Sequence, residues 1–150
     1  MRFFEKEIKI PIANNGILMK PRIIKEIMDS KGETIKDFKP VALRRVISEE
    51  TAYKMKSILK GAVETGTGQK ARLDGFSSAG KTGTAQKIEP NGTYSHRKFV
   101  ASFIGFAPAE HPRIAIAVVI DEPRPFYYGG TVAAPIFKKI ADDTLRYLKV

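Results

Sequence analysis

Apolar positions recur along this chain with two different periods. Ser48 is followed by Glu49, Glu50 and Thr51, which sets a hydroxyl cap and two carboxylates at a helix start. Ala52, Met55, Leu59, Ala62 and Val63 then recur at helical spacing with Ile58 beside them, so one face of this helix belongs to a core. Gly66-Thr67-Gly68 ends it and opens a loop. From residue 78 the pattern becomes that of strands: one to about residue 88 with a tight turn at Asn91-Gly92, a second over 98–107, and a third over 113–120 after Pro108-Ala109-Glu110-His111-Pro112. Short links make the three antiparallel neighbours. Residues 114–120 are apolar at every position, which predicts a central strand covered on both faces. After a loop over 121–130, rich in proline, tyrosine and glycine, a last helix starts at Thr131 with Pro135 in its first turn. Its apolar stripe is Ala133, Ile136, Phe137, Ile140, Leu145 and Leu148, and it should lie across the sheet.

The N-terminal third is less regular. Residues 8–12 alternate too briefly for more than a short edge strand, and Asn14-Asn15-Gly16 is a turn. Residues 22–27 and 33–36 flank Asp29-Ser30-Lys31-Gly32 and read as a connecting hairpin. No repeat or low-complexity tract occurs, and the fold class is α+β, an antiparallel sheet with a three-strand C-terminal meander covered by helices.

At 150 residues the chain is one domain with room for a real core. It has no cysteine, which excludes disulfides and thiolate metal sites. No apolar run reaches the ~20 residues of a membrane span, and the charged stretch over residues 1–7 does not resemble a signal peptide. The net charge of +10 favours anionic neighbours. Its lysines and arginines are spread through every segment without interleaved aromatic and basic positions, so a solvated surface is expected and nucleic acid is not.

One stretch carries chemistry. Gly75-Phe76-Ser77-Ser78-Ala79-Gly80-Lys81-Thr82 has the letters of a phosphate loop, which works only between a buried strand and a helix N-terminus. The polar stretch upstream and the β-branched Thr84 downstream argue for a strand instead. Lys81-Thr82-Gly83 also has the letters of the third motif of penicillin-binding proteins and serine β-lactamases. There a lysine offers charge to a carboxylate, a threonine adds a hydroxyl and a bare glycine lets a peptide approach the strand edge. An ordinary strand with a solvated lysine fits the tripeptide equally well.

The surrounding segments decide. Asn14-Asn15-Gly16 with Lys20-Pro21-Arg22-Ile23-Ile24-Lys25-Glu26-Ile27, Arg45-Val46-Ile47-Ser48, Gly66-Thr67-Gly68, Gly80-Lys81-Thr82-Gly83-Thr84-Ala85-Gln86, Phe103-Ile104-Gly105-Phe106-Ala107-Pro108 and Gly129-Gly130-Thr131-Val132-Ala133-Ala134-Pro135 follow one another in order. Together they resemble the C-terminal part of the transpeptidase domain of a class B penicillin-binding protein, over residues 11–150, with 1–10 unmatched. The resemblance implies a partial penicillin-binding-protein or serine β-lactamase-like fold, in a D,D-transpeptidase of cell division or elongation that cross-links peptidoglycan. It implies no cofactor and no metal. It also implies a parent at the extracytoplasmic face of the bacterial plasma membrane, among other cell-wall synthesis proteins. Such a parent is anchored by an N-terminal segment, so a truncated product is the expectation here.

By the same resemblance Lys81 would bind the terminal carboxylate of a D-alanyl-D-alanine stem peptide or of a β-lactam. Thr82 and Thr84 would add hydroxyl bonds, Gly83 would admit the ligand, the Thr84 N–H would serve as an oxyanion donor, and Tyr127 and Tyr128 would form an aromatic wall. Exposed aromatics packing on the sheet is the alternative for the two tyrosines. The family nucleophile is the serine of a Ser-x-x-Lys motif upstream of Lys-Thr-Gly, completed by Ser-x-Asn. Ser57, Ser78 and Ser95 each stand three residues before a lysine, none in the family's place, and no Ser-x-Asn occurs. All three serines are therefore expected to be structural and the chain inactive alone. His96 and His111 are expected in turns, without triad or metal partners. The alternative function is a non-catalytic module for wall polymer or a protein partner, self-associating through uncovered strand edges.

Overall fold

Strands β5 (Ala79–Ile88), β6 (Tyr94–Ala107) and β7 (Ile114–Asp121) follow one another in the chain and lie side by side in that order, all antiparallel. The computed structural model describes residues 10–150. β5 pairs with β6 from Ala79 opposite Phe106 to Gln86 opposite Phe99, and β6 pairs with β7 from Val100 opposite Asp121 to Ala107 opposite Ile114. Partners in a pair share a face, so Thr82 and Thr84 stand on the side of Phe103 and Ala101, while Lys81 stands on the side of Ile104.

The helices supply the rest of the core. Helix α1 (Glu49–Glu64) starts where the sequence predicts: the Ser48 Oγ accepts from the Thr51 N–H at 3.0 Å. That cap contributes about 1 kcal/mol. Val63, near the end of α1, meets Phe103, Ala133, Ala134, Phe137 and Ala141 in one buried cluster, while Leu59 packs on a second cluster of Ala13, Ala79, Phe106 and Ala109. The C-terminal helix is divided. A single turn, α2 (Gly129–Val132), precedes α3 (Ala134–Tyr147), because Pro135 has no amide to continue the ladder and sits instead in the first turn of α3. α3 buries Ala134, Phe137, Ala141 and Leu145, and the Phe137 ring tilts against Phe103 with centroids 4.7 Å apart. Ile136 and Ile140, expected in the same stripe, are each 43% exposed. The stripe is wider than the surface it covers.

The third strand corrects its expectation. β7 is an edge strand, not a central one: it has β6 on one side and no strand on the other among the described residues. Val118 is buried, but Ala115 and Ala117 are exposed, and Val119 is 63% exposed beside a half-exposed Ile104. The apolar run is thus covered on the α3 face alone. Strand β6 begins earlier than expected, so Ser95 and His96 stand in it rather than in a turn. His111 lies in the β6–β7 turn region.

The N-terminal third is one interrupted ribbon. β1 (Ile17–Met19) pairs with β4 (Ala42–Arg45), and β2 (Glu26–Met28) pairs with β3 (Thr34–Asp37), both antiparallel. Between them the Lys20 N–H donates to the Val41 carbonyl and the Phe38 N–H to the Lys25 carbonyl, each at 2.8 Å. The tip is tied by Asp29, whose carboxylate accepts from the N–H groups of Lys31 and Glu33. Of the edge strand expected over 8–12, residues 8 and 9 lie outside the described residues. Residues 10–12 run into a turn, where Pro11 can offer only its carbonyl, which accepts from Asn14 and Gly16.

Glu110 joins three of these pieces. Its carboxylate accepts from Lys60 of α1 at 2.6 Å and from the Ser77 hydroxyl ahead of β5. The Lys60 bond, then the Ser77 bond, hold its pKa down at about 2 from 4.5. A depressed folded pKa contributes stability that is present above the ordinary carboxylate value and lost as pH falls. Urea midpoints should therefore drop between pH 4.5 and about 2, and Glu110→Gln should flatten that limb. The carboxylate is half exposed, so screening keeps the effect small. Phe137→Ala should cost far more, about 3–5 kcal/mol in urea unfolding, because the cavity opens at the centre of the larger cluster.

Candidate active-site strand

β5 forms the outer edge of the sheet, which leaves one side of its backbone without a strand partner among the described residues. Lys81 occupies that strand, not a helix start, and this removes the phosphate-loop reading. Although Lys81 and Thr82 leave the strand on opposite faces, the long lysine stem turns back. Its Nζ donates to the Thr82 Oγ1 at 3.2 Å and to the Thr82 carbonyl at 3.1 Å.

A cleft of about 370 Å³ opens beside these groups, lined by Thr82, Thr84, Thr67, Lys70, Tyr128 and Gly130 among others. The Thr67 and Thr82 hydroxyls lie 3.0 Å apart, and the Thr84 Oγ1 accepts from the Gly129 N–H at 3.2 Å. Among the described residues no carboxylate lines the cleft. Hydroxyls and a lysine without an acid suit an anionic ligand with hydrogen-bonding needs.

Two glycines make the geometry possible. A Cβ on Gly129 would collide with the carbonyl oxygens of Ser102 and Gly83, and one on Gly130 with that of Thr67. The single turn α2 can lie on the β5–β6 surface only because both side chains are missing.

The two tyrosines part company. Tyr128 is exposed and lines the cleft, whereas Tyr127 stacks on Phe99 with centroids 4.1 Å apart and planes at 10°. Their hydroxyls are 3.4 Å apart, and that contact raises the Tyr127 pKa. Lys81 and Gly83 meet the cleft through Thr82 and the strand backbone rather than as its lining. Sequence reasoning named Thr67, Gly130 and Thr131 only as motif letters, and it missed Gln69 and Lys70, which also line the cleft.

None of the three serines in Ser-x-x-Lys spacing hydrogen-bonds to the side-chain ammonium of its lysine. The buried Ser78 hydroxyl donates to the Ala71 carbonyl at 2.9 Å, and Lys81 turns to Thr82. The buried Ser95 Oγ accepts from the N–H groups of Arg97 and Lys98, and the Lys98 Nζ is held by Glu89 at 2.9 Å. Ser57 lines a separate cavity of about 440 Å³, where Lys60 pairs with Glu110. That pairing raises the Lys60 pKa, the wrong direction for a base. Among the described residues no cluster of histidine and acidic side chains could hold a metal.

A Lys-Thr-Gly strand on the edge of an antiparallel sheet, facing a hydroxyl-lined cleft, is the architecture of enzymes that recognise penicillin. The chain belongs to the penicillin-binding protein transpeptidase domain family, whose profile matches residues 9–142. It is 43% identical over 140 residues to stage V sporulation protein D of Bacillus subtilis, covering 92% of this chain and 22% of that protein. It is 47% identical over 109 residues to the probable peptidoglycan D,D-transpeptidase PenA of Neisseria gonorrhoeae, covering 71% of this chain and 19% of the relative. Among solved structures, penicillin-binding protein 3 of Mycobacterium tuberculosis in complex with aztreonam superposes with a TM-score of 0.80 at 35% identity, covering 93% of this chain and 33% of that one. The chain thus spans about a fifth of the length of these curated relatives.

Gly129→Ala tests the cleft's construction. It should push the turn off the sheet and break the bond to Thr84, at a cost of roughly 1–3 kcal/mol. Amide resonances of Thr84 and Tyr128 should move while those of the ribbon over 17–45 stay fixed; unmoved Thr84 and Tyr128 signals would contradict this account.

Proposed function

We propose that this chain carries the substrate-binding strand of a peptidoglycan D,D-transpeptidase that cross-links stem peptides and binds β-lactams. The observation that supports it is the convergence of the Lys81 ammonium and the hydroxyls of Thr67, Thr82 and Thr84 at a strand-edge cleft that no carboxylate lines among the described residues. In this reading Lys81 neutralises the carboxylate of a D-alanyl-D-alanine terminus or of a β-lactam, and Thr82 and Thr84 fix its orientation. The peptide aligns against the β5 edge as an added strand, with bare Gly83 letting it approach and Tyr128 beside it. Tyr127 supports that wall from behind through Phe99. The Thr84 N–H serves as one oxyanion donor, a role typically worth ~3 kcal/mol in the transition state.

The reaction needs a serine Oγ to bond to the substrate carbonyl while the peptide or lactam C–N bond breaks and the leaving nitrogen takes a proton. Ser57, Ser78 and Ser95 are engaged or placed elsewhere, so we assign the nucleophile to a Ser-x-x-Lys helix outside these 150 residues. The uncovered face of β7 and its unpaired edge fit a domain whose other part packs there. The relatives' names and the aztreonam complex favour the same reading. The parent would work at the extracytoplasmic face of the plasma membrane, with other cell-wall synthesis proteins; among the described residues no helix is long and apolar enough to cross a membrane.

A second reading, a non-catalytic module that self-associates, is favoured by that same β7 edge. Sedimentation at high concentration separates the two, since a clean monomer removes self-association. For the first reading, fluorescent penicillin should leave this chain unlabelled and should label a full-length protein that contains it. Lys81→Ala in that protein should slow acylation by roughly 10- to 100-fold, the loss of one charged hydrogen-bond partner. A stoichiometric acyl adduct on Ser57, Ser78 or Ser95 in intact-mass spectra would overturn the assignment of the nucleophile.

A further inference from the structure

Thr82 is the hydroxyl of the cleft that meets both Lys81 and Thr67, and its hydrogen-bonding capacity decides what it can offer a ligand. A threonine Oγ1 has one hydrogen to give and two lone pairs to accept with. One lone pair is taken by the Lys81 ammonium, which can only donate, at 3.2 Å. The other contact is the Thr67 hydroxyl at 3.0 Å, where either oxygen can be the donor. If Thr82 gives its hydrogen to Thr67, a carboxylate arriving at Thr82 finds no donor there. If Thr67 donates instead, both lone pairs of Thr82 are filled and its hydrogen is free for the ligand. Thr84 shows this second arrangement already fixed, because the Gly129 N–H that donates to its Oγ1 cannot accept.

We propose that Thr67 is a positioning residue for carboxylate recognition, donating to the Thr82 Oγ1 so that the Thr82 hydrogen turns toward the anionic end of the substrate or β-lactam. The inference rests on the transpeptidase reading and extends its binding machinery beyond Lys-Thr-Gly. A carboxylate can only accept, so its arrival selects the state in which Thr67 is the donor. The backbone holds Thr67 in place for this. On either side of it the N–H groups of Thr65 and Gly68 donate to the carbonyls of Gly61 and Ala62 near the end of α1, at 2.9 and 3.0 Å. Its own carbonyl lies where a Cβ on Gly130 would collide, and buried Gly68 next to it sits against the Phe103 ring. Thr67 is thus wedged between α1, the sheet and α2 with its hydroxyl aimed at β5.

The test uses the full-length protein that contains this chain and reads the second-order rate of acylation by fluorescent penicillin. Thr67→Val keeps the branching and removes the hydroxyl, and it should slow acylation roughly 3- to 10-fold, the loss of one neutral hydrogen bond. Its thermal melt should match that of the parent, because the Thr67 side chain is exposed. Thr67→Ser keeps the donor and should lose less. The deciding measurement is the double variant: on a Thr82→Val background, Thr67→Val should slow acylation no further, since no hydroxyl remains to be oriented. An unchanged rate in Thr67→Val, an equal loss in Thr67→Ser, or the same fold loss with and without the Thr82 hydroxyl would each overturn this role and leave the transpeptidase reading standing. Failure of that reading has its own signature, parent-like acylation in both Lys81→Ala and Thr82→Val, and the role of Thr67 would fall with it.

Discussion

The register between β5 and β6 is the constraint on which the rest depends. With Gly80 opposite Gly105 and Thr82 opposite Phe103, the threonines share a face with the ring that packs on α3, and Lys81 takes the other. A slip by one residue would exchange these sets, burying a lysine under α3 and moving both hydroxyls away from Thr67 and Gly129. Bulk at Phe103 and Phe106, and its absence at Gly80 and Gly105, make such a slip costly. A Cβ on Gly80 would meet the Phe103 ring and the Ile104 carbonyl, and one on Gly105 would meet the Ala79 carbonyl. The same pairing that builds the core therefore aims the functional groups.

Around that pairing the molecule is fastened by a few polar ties with distinct duties. Lys87 of β5 reaches Asp121 and Glu122 at the end of β7, which ties the two outer strands at one end of the sheet. Glu110 holds α1 to the chain entering β5. The Gly129 N–H holds the start of α2 to Thr84. Each tie is exposed or half-buried and individually weak. Their effect is to fix where the helices meet the sheet rather than to supply its cohesion, which comes from Phe103, Phe137, Leu145 and the alanines around them.

Periodicity in the sequence reveals the meander, the capped helix α1 and the apolar side of α3, because each is a local pattern of sufficient length. It does not reveal that β1 pairs with β4, since two short strands more than twenty residues apart carry no mutual signal. The apolar run of β7 reads as central because composition reports what a strand is suited to, not which neighbours this chain supplies. Lys81, Thr82 and Thr84 are legible from a motif and its setting. Lys70 and Gln69 are not, because they reach the cleft only through the three-dimensional meeting of a loop and the turn before α3. That Tyr127 stacks on Phe99 while Tyr128 lines the cleft rests on a contact that adjacency in sequence cannot disclose.

The meander is continuous in sequence from residue 79 to residue 121, and this bears on the order in which the molecule assembles. Each strand closes on its predecessor over a short loop, so the sheet carries little loop-closure entropy and is expected to form early. Its outer face toward α3 stays open until Phe137 is made and can reach Phe103. During synthesis from the N-terminus, the sheet with its glycine-lined surface would thus wait, partly dressed by α1, for the last helix to arrive. Residues 134–150 act in that sense as a closing clasp, and the shape of the cleft is set when the turn at Gly129 and Gly130 lies down with them.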